Sequence, residues 1–107
     1  MKKLFIHHVI FHIFILLFWC SSSVATVFDV NSLASTNSGS GTSGTLRYCI
    51  SQANLSVGPH SINFSVAGTI SINSSGALLP ILTKQIVINA TTAPGYSGSP
   101  AIILDGT

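Results

Sequence analysis

Two hydrophobic rhythms follow one another along this chain, after a long apolar opening. Leu4 to Cys20 is almost wholly apolar, interrupted only by His7, His8 and His12. Thr26 to Leu33 (TVFDVNSL) reads as a short strand, and the Ser/Thr/Asn/Gly-rich run from Ala34 to Gly44 reads as a loop. From Thr45 the spacing becomes helical. Leu46, Cys49, Ile50 and Ala53 fall at i, i+3, i+4 and i+7, which predicts a helix over about residues 45–56 with these four on its buried face. Arg47, Tyr48, Ser51 and Gln52 fall mostly on the other side. Ser43 or Thr45 can cap the start by accepting a backbone N–H, and Gly58-Pro59 stops the helix.

After Pro59 the period is two. Ile62, Phe64 and Val66 share one face, and Ile70 pairs with Ile72. LLPIL (78–82), QIVIN (85–89) and AIILD (101–105) follow, separated by Gly, Pro, Ser and Thr. These read as five short strands between turn signals. Pro80 requires that the LLPIL strand be short, irregular or bent. Ile62 and Ile86 lie 24 residues apart, close to one coil of a β-solenoid, and no Asn-Gly dipeptide marks a hairpin.

The opening run follows a basic Met1-Lys2-Lys3 and precedes Ser23 and Ala25, small residues at the two positions a signal peptidase reads. That order predicts a secretory signal over residues 1–25, cleaved after Ala25. The alternative is an uncleaved anchor, because this run of 17 residues, three of them histidines, lies at the lower edge for crossing a bilayer of about 30 Å. Lipidation at Cys20 is disfavoured by the bulky Phe18 and Trp19 before it.

Removing the signal changes the charge picture. Lys2 and Lys3 carry the whole formal excess of +2, and the remainder sets Arg47 and Lys84 against Asp29 and Asp105. No basic patch exists to contact phosphates, so nucleic acid is excluded as a partner. Cys49 is left as the one cysteine, with no internal disulfide available. The fold must then rest on packing and backbone hydrogen bonds, in a domain small enough for burial alone to be marginal.

At this point a family resemblance enters. GTLRYCISQAN (44–54) resembles the Gly-(Ser/Thr)-Leu-Arg-x-Ala-Ile-x-x-Ala-Asn signature that opens many secreted right-handed parallel β-helix (pectate-lyase-like) proteins. SINF, Gly-Thr-Ile, Leu-Pro-x-Ile, IVIN, the TTAPGYSGSP loop and ILDG are similar, in that order, to the segments that follow it there. The match covers residues 27–107. Cys49 stands where alanine is usual, and Asn89-Ala90 where Asp-Gly is usual. The resemblance implies an all-β fold: two to three coils of a parallel β-helix over residues 59–107, preceded by a strand, loop and capping helix over residues 26–58. It implies that Leu46, Cys49, Ile50 and Ala53 cover the open end of the first coil. Such a cover is physically needed, since unpaired strand edges invite aggregation. Arg47 is expected to fasten the cap through loop carbonyls or Asp29.

Candidate chemistry is sparse. Gly39, Gly41 and Gly44 fit GxGxxG before a helix, but no strand runs directly into them and no acid follows until Asp105. A flexible loop is the plain reading, and no cofactor is expected. Arg47 and Cys49 are two apart and do not face each other on a helix. A Cys49–His60 pair is opposed by the predicted burial of Cys49. His8 and His12 are spaced for zinc but lack a third ligand. Glycosidase chemistry usually needs paired carboxylates, whereas Asp29 and Asp105 lie near opposite ends of the mature chain. Asn54, Asn63, Asn73 and Asn89 begin N-x-Ser/Thr triplets, which so Ser/Thr-rich a chain contains by chance.

The leading expectation is a non-catalytic secreted or cell-surface β-helix segment with a structural, adhesion or surface-display role. The alternatives are the start of a polysaccharide-active lyase or glycosidase whose site lies beyond Thr107, and a truncated nonfunctional remnant. Expected partners are carbohydrate or a second copy at the open C-terminal coil. A membrane enters only through an uncleaved signal or a missing C-terminal anchor.

Overall fold

A computed structural model describes residues 25–72 and 78–107. The signal with its histidines and Cys20, and the Asn73 triplet, lie outside the described residues. In chain order the elements are β1 (Thr26–Ser32), β2 (Gly39–Ser40), β3 (Ser43–Thr45), α1 (Leu46–Ala53), β4 (His60–Phe64), β5 (Gly68–Ser71), β6 (Ile86–Ile88), one 3₁₀ turn (Ala90–Thr92) and β7 (Ile102–Asp105).

Period-two burial sets the faces of the two longest strands. Phe28 and Val30 of β1 are buried while Val27 is 56% exposed, and His60, Ile62 and Phe64 of β4 are all buried. β1 and β4 pair in parallel, with Phe28 opposite Ile62 and Val30 opposite Phe64. Their apolar side chains therefore stack in columns on one face of the sheet. β6 adds in parallel outside β4, placing Ile88 opposite Ile62. The helix packs its Leu46, Cys49, Ile50 and Ala53 side into the same core.

The helix begins just after Thr45, whose own backbone is still extended. Its hydroxyl accepts the Tyr48 N–H at 3.2 Å and donates to the Thr36 carbonyl at 2.6 Å. One side chain thus satisfies an orphan helix donor and ties the helix start to the preceding loop. At the other end the Asn54 N–H closes on the Ile50 carbonyl at 3.0 Å, and the chain turns off before Pro59.

The expected parallel β-helix, and with it the solenoid and pectin-lyase-like description, is overturned. The described residues form a mixed α/β domain: one α-helix, a five-strand sheet in the order β2-β3-β1-β4-β6, and a separate two-strand sheet of β5 and β7. Two local events redirect it. First, Gly39 to Thr45 is not a loop but a tight antiparallel hairpin, with Gly39 opposite Gly44. Its second strand occupies the β1 edge in parallel, so the main sheet is mixed. Second, LLPIL forms no strand. Pro80 cannot donate to a ladder, and the Asn54 side chain takes this segment's backbone groups instead. Its Nδ2 donates to the Ile81 carbonyl at 2.8 Å, and its Oδ1 accepts the Thr83 N–H at 2.9 Å. The described strands therefore supply two unequal sheets rather than repeated coils. With no solenoid end to close, Leu46, Cys49, Ile50 and Ala53 make the helical layer of an ordinary core.

Candidate functional site

Two glycines of the hairpin, Gly39 and Gly44, are closely packed, and the third, Gly41, is required by the turn. Gly41 adopts a φ of 59° at the first turn position, a left-handed conformation suited to glycine. A Cβ on Gly44 would lie 2.5 Å from the Ser38 carbonyl oxygen and 2.7 Å from Tyr48 Cδ1, and one on Gly39 would also meet the Tyr48 ring. The GxGxxG pattern is thus explained by the Tyr48 ring lying against the two paired strands, with the Tyr48 hydroxyl donating to the Gly41 carbonyl at 3.1 Å. Gly41-Thr42 between small residues was the available signal for this hairpin, because a glycine-first pair is one of the two-residue turns.

Beside the hairpin runs an open groove of about 400 Å³, whose lining includes Asn31, Ser32, Thr36, Ser38, Ser40 and Ser43. Hydroxyls and an amide can hydrogen-bond a polyol. They supply no acid, base or strong nucleophile at neutral pH.

Cys49 is fully buried and lies 3.5 Å from the Asp29 carbonyl oxygen, to which its thiol donates. Burial pushes this thiol from its ordinary 9.0 up to about 11; the negative Asp29 adds to the rise, and a backbone hydrogen bond from Gly44 opposes it. The thiol is therefore protonated at neutral pH and is no nucleophile. Iodoacetamide at pH 8 should leave Cys49 of the folded protein unmodified and label it once unfolded, read by peptide mass spectrometry. The linkage follows the same sign. The folded state favours the neutral thiol, so this stability is complete below pH 9 and is lost as pH rises from 9 to about 11. Urea denaturation across that window should show wild type losing stability relative to Cys49→Ala.

Arg47 is not the expected fastener. Its Nε and Nη2 are buried without a hydrogen-bond partner, while the Asp29 carboxylate accepts from the Ser65 hydroxyl at 2.7 Å. The structure does not bring Arg47 and Asp29 together as a pair.

His60 and Ser56 form the closest approach to a catalytic pair. His60 Nε2 lies 3.1 Å from Ser56 Oγ and 3.0 Å from the Ser56 carbonyl oxygen, while Nδ1 is buried with no partner. A carbonyl only accepts, so hydrogen bonding assigns the proton to Nε2. The other tautomer would bury an unpaired N–H at Nδ1, a costlier arrangement. With its proton on Nε2 the ring cannot take one from Ser56. No third group holds Nδ1, as an activated nucleophile–base pair requires. The ring instead packs edge-on against Phe28, with centroids 5.7 Å apart.

Among the described residues no three His, Cys, Asp or Glu side chains converge as a metal site. Asp105 stands at the end of β7, where the Thr107 hydroxyl and N–H hold its carboxylate below the ordinary range.

The least satisfied features lie on the outer strands. Among the described residues β6 pairs only with β4, and β7 only with β5. The Asn89 N–H donates to the Ile62 carbonyl and the His60 N–H to the Gln85 carbonyl, at 2.8 and 2.9 Å. By the two-residue alternation of a strand, the backbone groups of Ile86 and Ile88 point the other way, along the open edge. On β7, the Ala101 and Asp105 carbonyls accept from Gly68 and Ile72, which leaves Ile102 and Leu104 directed outward. The side chains show the same incompleteness. Ile62 and Ile70 are 0% and 1% exposed, whereas their register partners Ile88 and Leu104 are 40% and 47% exposed.

Compared with known proteins, the chain matches no family model, no curated protein and no solved structure.

Proposed function

We propose that this chain is a non-catalytic structural domain of an exported protein, which associates by adding strands along the open edges of β6 and β7. The observation that carries this reading is the exposure of Ile88 and Leu104 in columns whose inner members are fully buried. Each is a core position lacking its next layer. The same residues direct unpaired backbone groups outward, the arrangement that recruits a further strand. The edge residues Ile86–Ile88 and Ile102–Leu104 carry no charge to oppose this. Export rests on the basic, apolar and small-residue order of residues 1–25. Adhesion or surface display is the use that such an assembly would serve.

Sedimentation velocity on the chain as released by a secreting host tests the reading. Wild type should pass from monomer to oligomer as concentration rises. The Ile88→Lys/Leu104→Lys variant should remain monomeric with an unchanged circular dichroism spectrum, because both side chains are already half exposed. A wild type that is monomeric at every concentration, or a variant that associates equally well, would defeat the proposal.

A further inference from the structure

A second apolar surface lies away from those edges, at the ends of the strands. Leu55 and Val57 follow the helix and are 76% and 68% exposed; Ile81 and Leu82 are 83% and 45% exposed. Four large aliphatics so exposed on one pair of loops are uncommon on a soluble domain. The two loops are fixed side by side. Asn54 grips the Ile81 carbonyl and the Thr83 N–H, and the His60 N–H donates to the Gln85 carbonyl at 2.9 Å. A Cβ on Gly58 would lie 2.5 Å from that same Gln85 oxygen. The patch is therefore held in position by specific hydrogen bonds.

Register shows what lies next to it. Thr26 is opposite His60, and His60 is opposite Ile86. β1 consequently starts beside the places where both patch loops run into their strands. The chain before β1 is the apolar stretch from Leu4 to Cys20, joined to Thr26 by only five residues. A segment that seeks a bilayer is thus tethered at the rim of the exposed patch. The charges agree, since residues 54–60 and 78–88 contain Lys84 and no acid. A single base among aliphatics suits the boundary between anionic headgroups and acyl chains.

We propose that Leu55, Val57, Ile81 and Leu82 form a lipid-contacting surface, which seats the domain on the bilayer that residues 4–20 enter. The strands then rise from the membrane, and the open edges of β6 and β7 face sideways along it. The signal or anchor and the folded domain cooperate during export: the first enters the lipid, and the second rests its loops on the surface.

The test uses the full chain in vesicles of phosphatidylcholine and phosphatidylglycerol that contain a lipid with a photoactivatable diazirine high on its acyl chain. After illumination, peptide mass spectrometry should place adducts on residues 55–57 and 78–82 as well as on 4–20. Labelling of Ile103, which is 55% exposed on β7, should be severalfold weaker. The Leu55→Asp/Ile81→Asp variant should lose the loop adducts and keep those on residues 4–20. Adducts confined to residues 4–20, or spread equally to Ile103, would overturn the proposal. So would loop labelling that disappears when protein is diluted in the vesicles, because a second copy would then be the occupant.

Discussion

Leu46→Asp leaves the chain without a stable fold, seen as loss of the cooperative urea transition and precipitation on concentration. Leu46 is 1% exposed at the first helical position, among Val30, Ile50, Ile62 and the rest of one contiguous core. A carboxylate at the first turn of a helix is favourable when solvated, by roughly 0.3–1 kcal/mol. Here it would be buried in the apolar cluster that holds Val30, Ile50 and Ile62. Burying an unpaired charge costs several kcal/mol, so the helix-dipole gain is overwhelmed. Domains of this size hold only roughly 5 kcal/mol at the low end of the usual range, and one such substitution consumes it. Gln52→Asp is the control. Gln52 is partly exposed in the last turn of the same helix, and the same new charge there should cost no more than about 1 kcal/mol through the helix dipole. If Leu46→Asp unfolds with the wild-type midpoint, the helix is not part of the core.

Ile62→Ala should cost about 2–5 kcal/mol, the range for deleting a large aliphatic from a well-packed site. Ile62 is fully buried in β4, flanked in register by Phe28 on one side and Ile88 on the other. Ile88→Ala, one strand further out in the same column, should cost less than about 1 kcal/mol in dilute solution, because its side chain is already 40% exposed. The two losses are read from urea midpoints at constant slope. Repeating the pair at high concentration links stability to assembly. If another copy covers β6, the Ile88→Ala cost should grow with concentration while the Ile62→Ala cost stays constant. Equal costs for the two variants in dilute solution would mean that β6 is not an open edge.

Local pattern was a good guide wherever neighbours in sequence supply the partners. The spacing of Leu46, Cys49, Ile50 and Ala53 locates the buried side of α1, since the helical period brings those residues together whatever lies opposite. Alternation likewise locates Ile62 and Phe64 inside β4, and Phe28 and Val30 inside β1. It misled at LLPIL. Four aliphatics around Pro80 read as a strand, yet the backbone partner that this segment finds is the side chain of Asn54, 27 residues earlier. It misled again at Gly39–Thr45, where a glycine-rich run read as loop is held as a hairpin by the ring of Tyr48. The charge of Arg47 suggested a fastener, but its Nε and Nη2 have no hydrogen-bond partner.

By itself, the sequence determined the basic and then apolar opening, the near-neutral remainder, the apolar faces of the helix and of the main strands, and the scarcity of charged side chains. These follow from composition and short-range period, which no folding step can alter. Only the tertiary structure decided how the strands are ordered. The hairpin claims one edge of β1 and makes the main sheet mixed, and no solenoid forms. It also decided which apolar residues stay uncovered: Ile88 and Leu104 on open edges, and Leu55 and Ile81 on two loops joined through Asn54. The reason is physical. Hydrophobicity fixes which face of an element seeks burial, but an edge or a loop is left open only when every other segment has found its own partner.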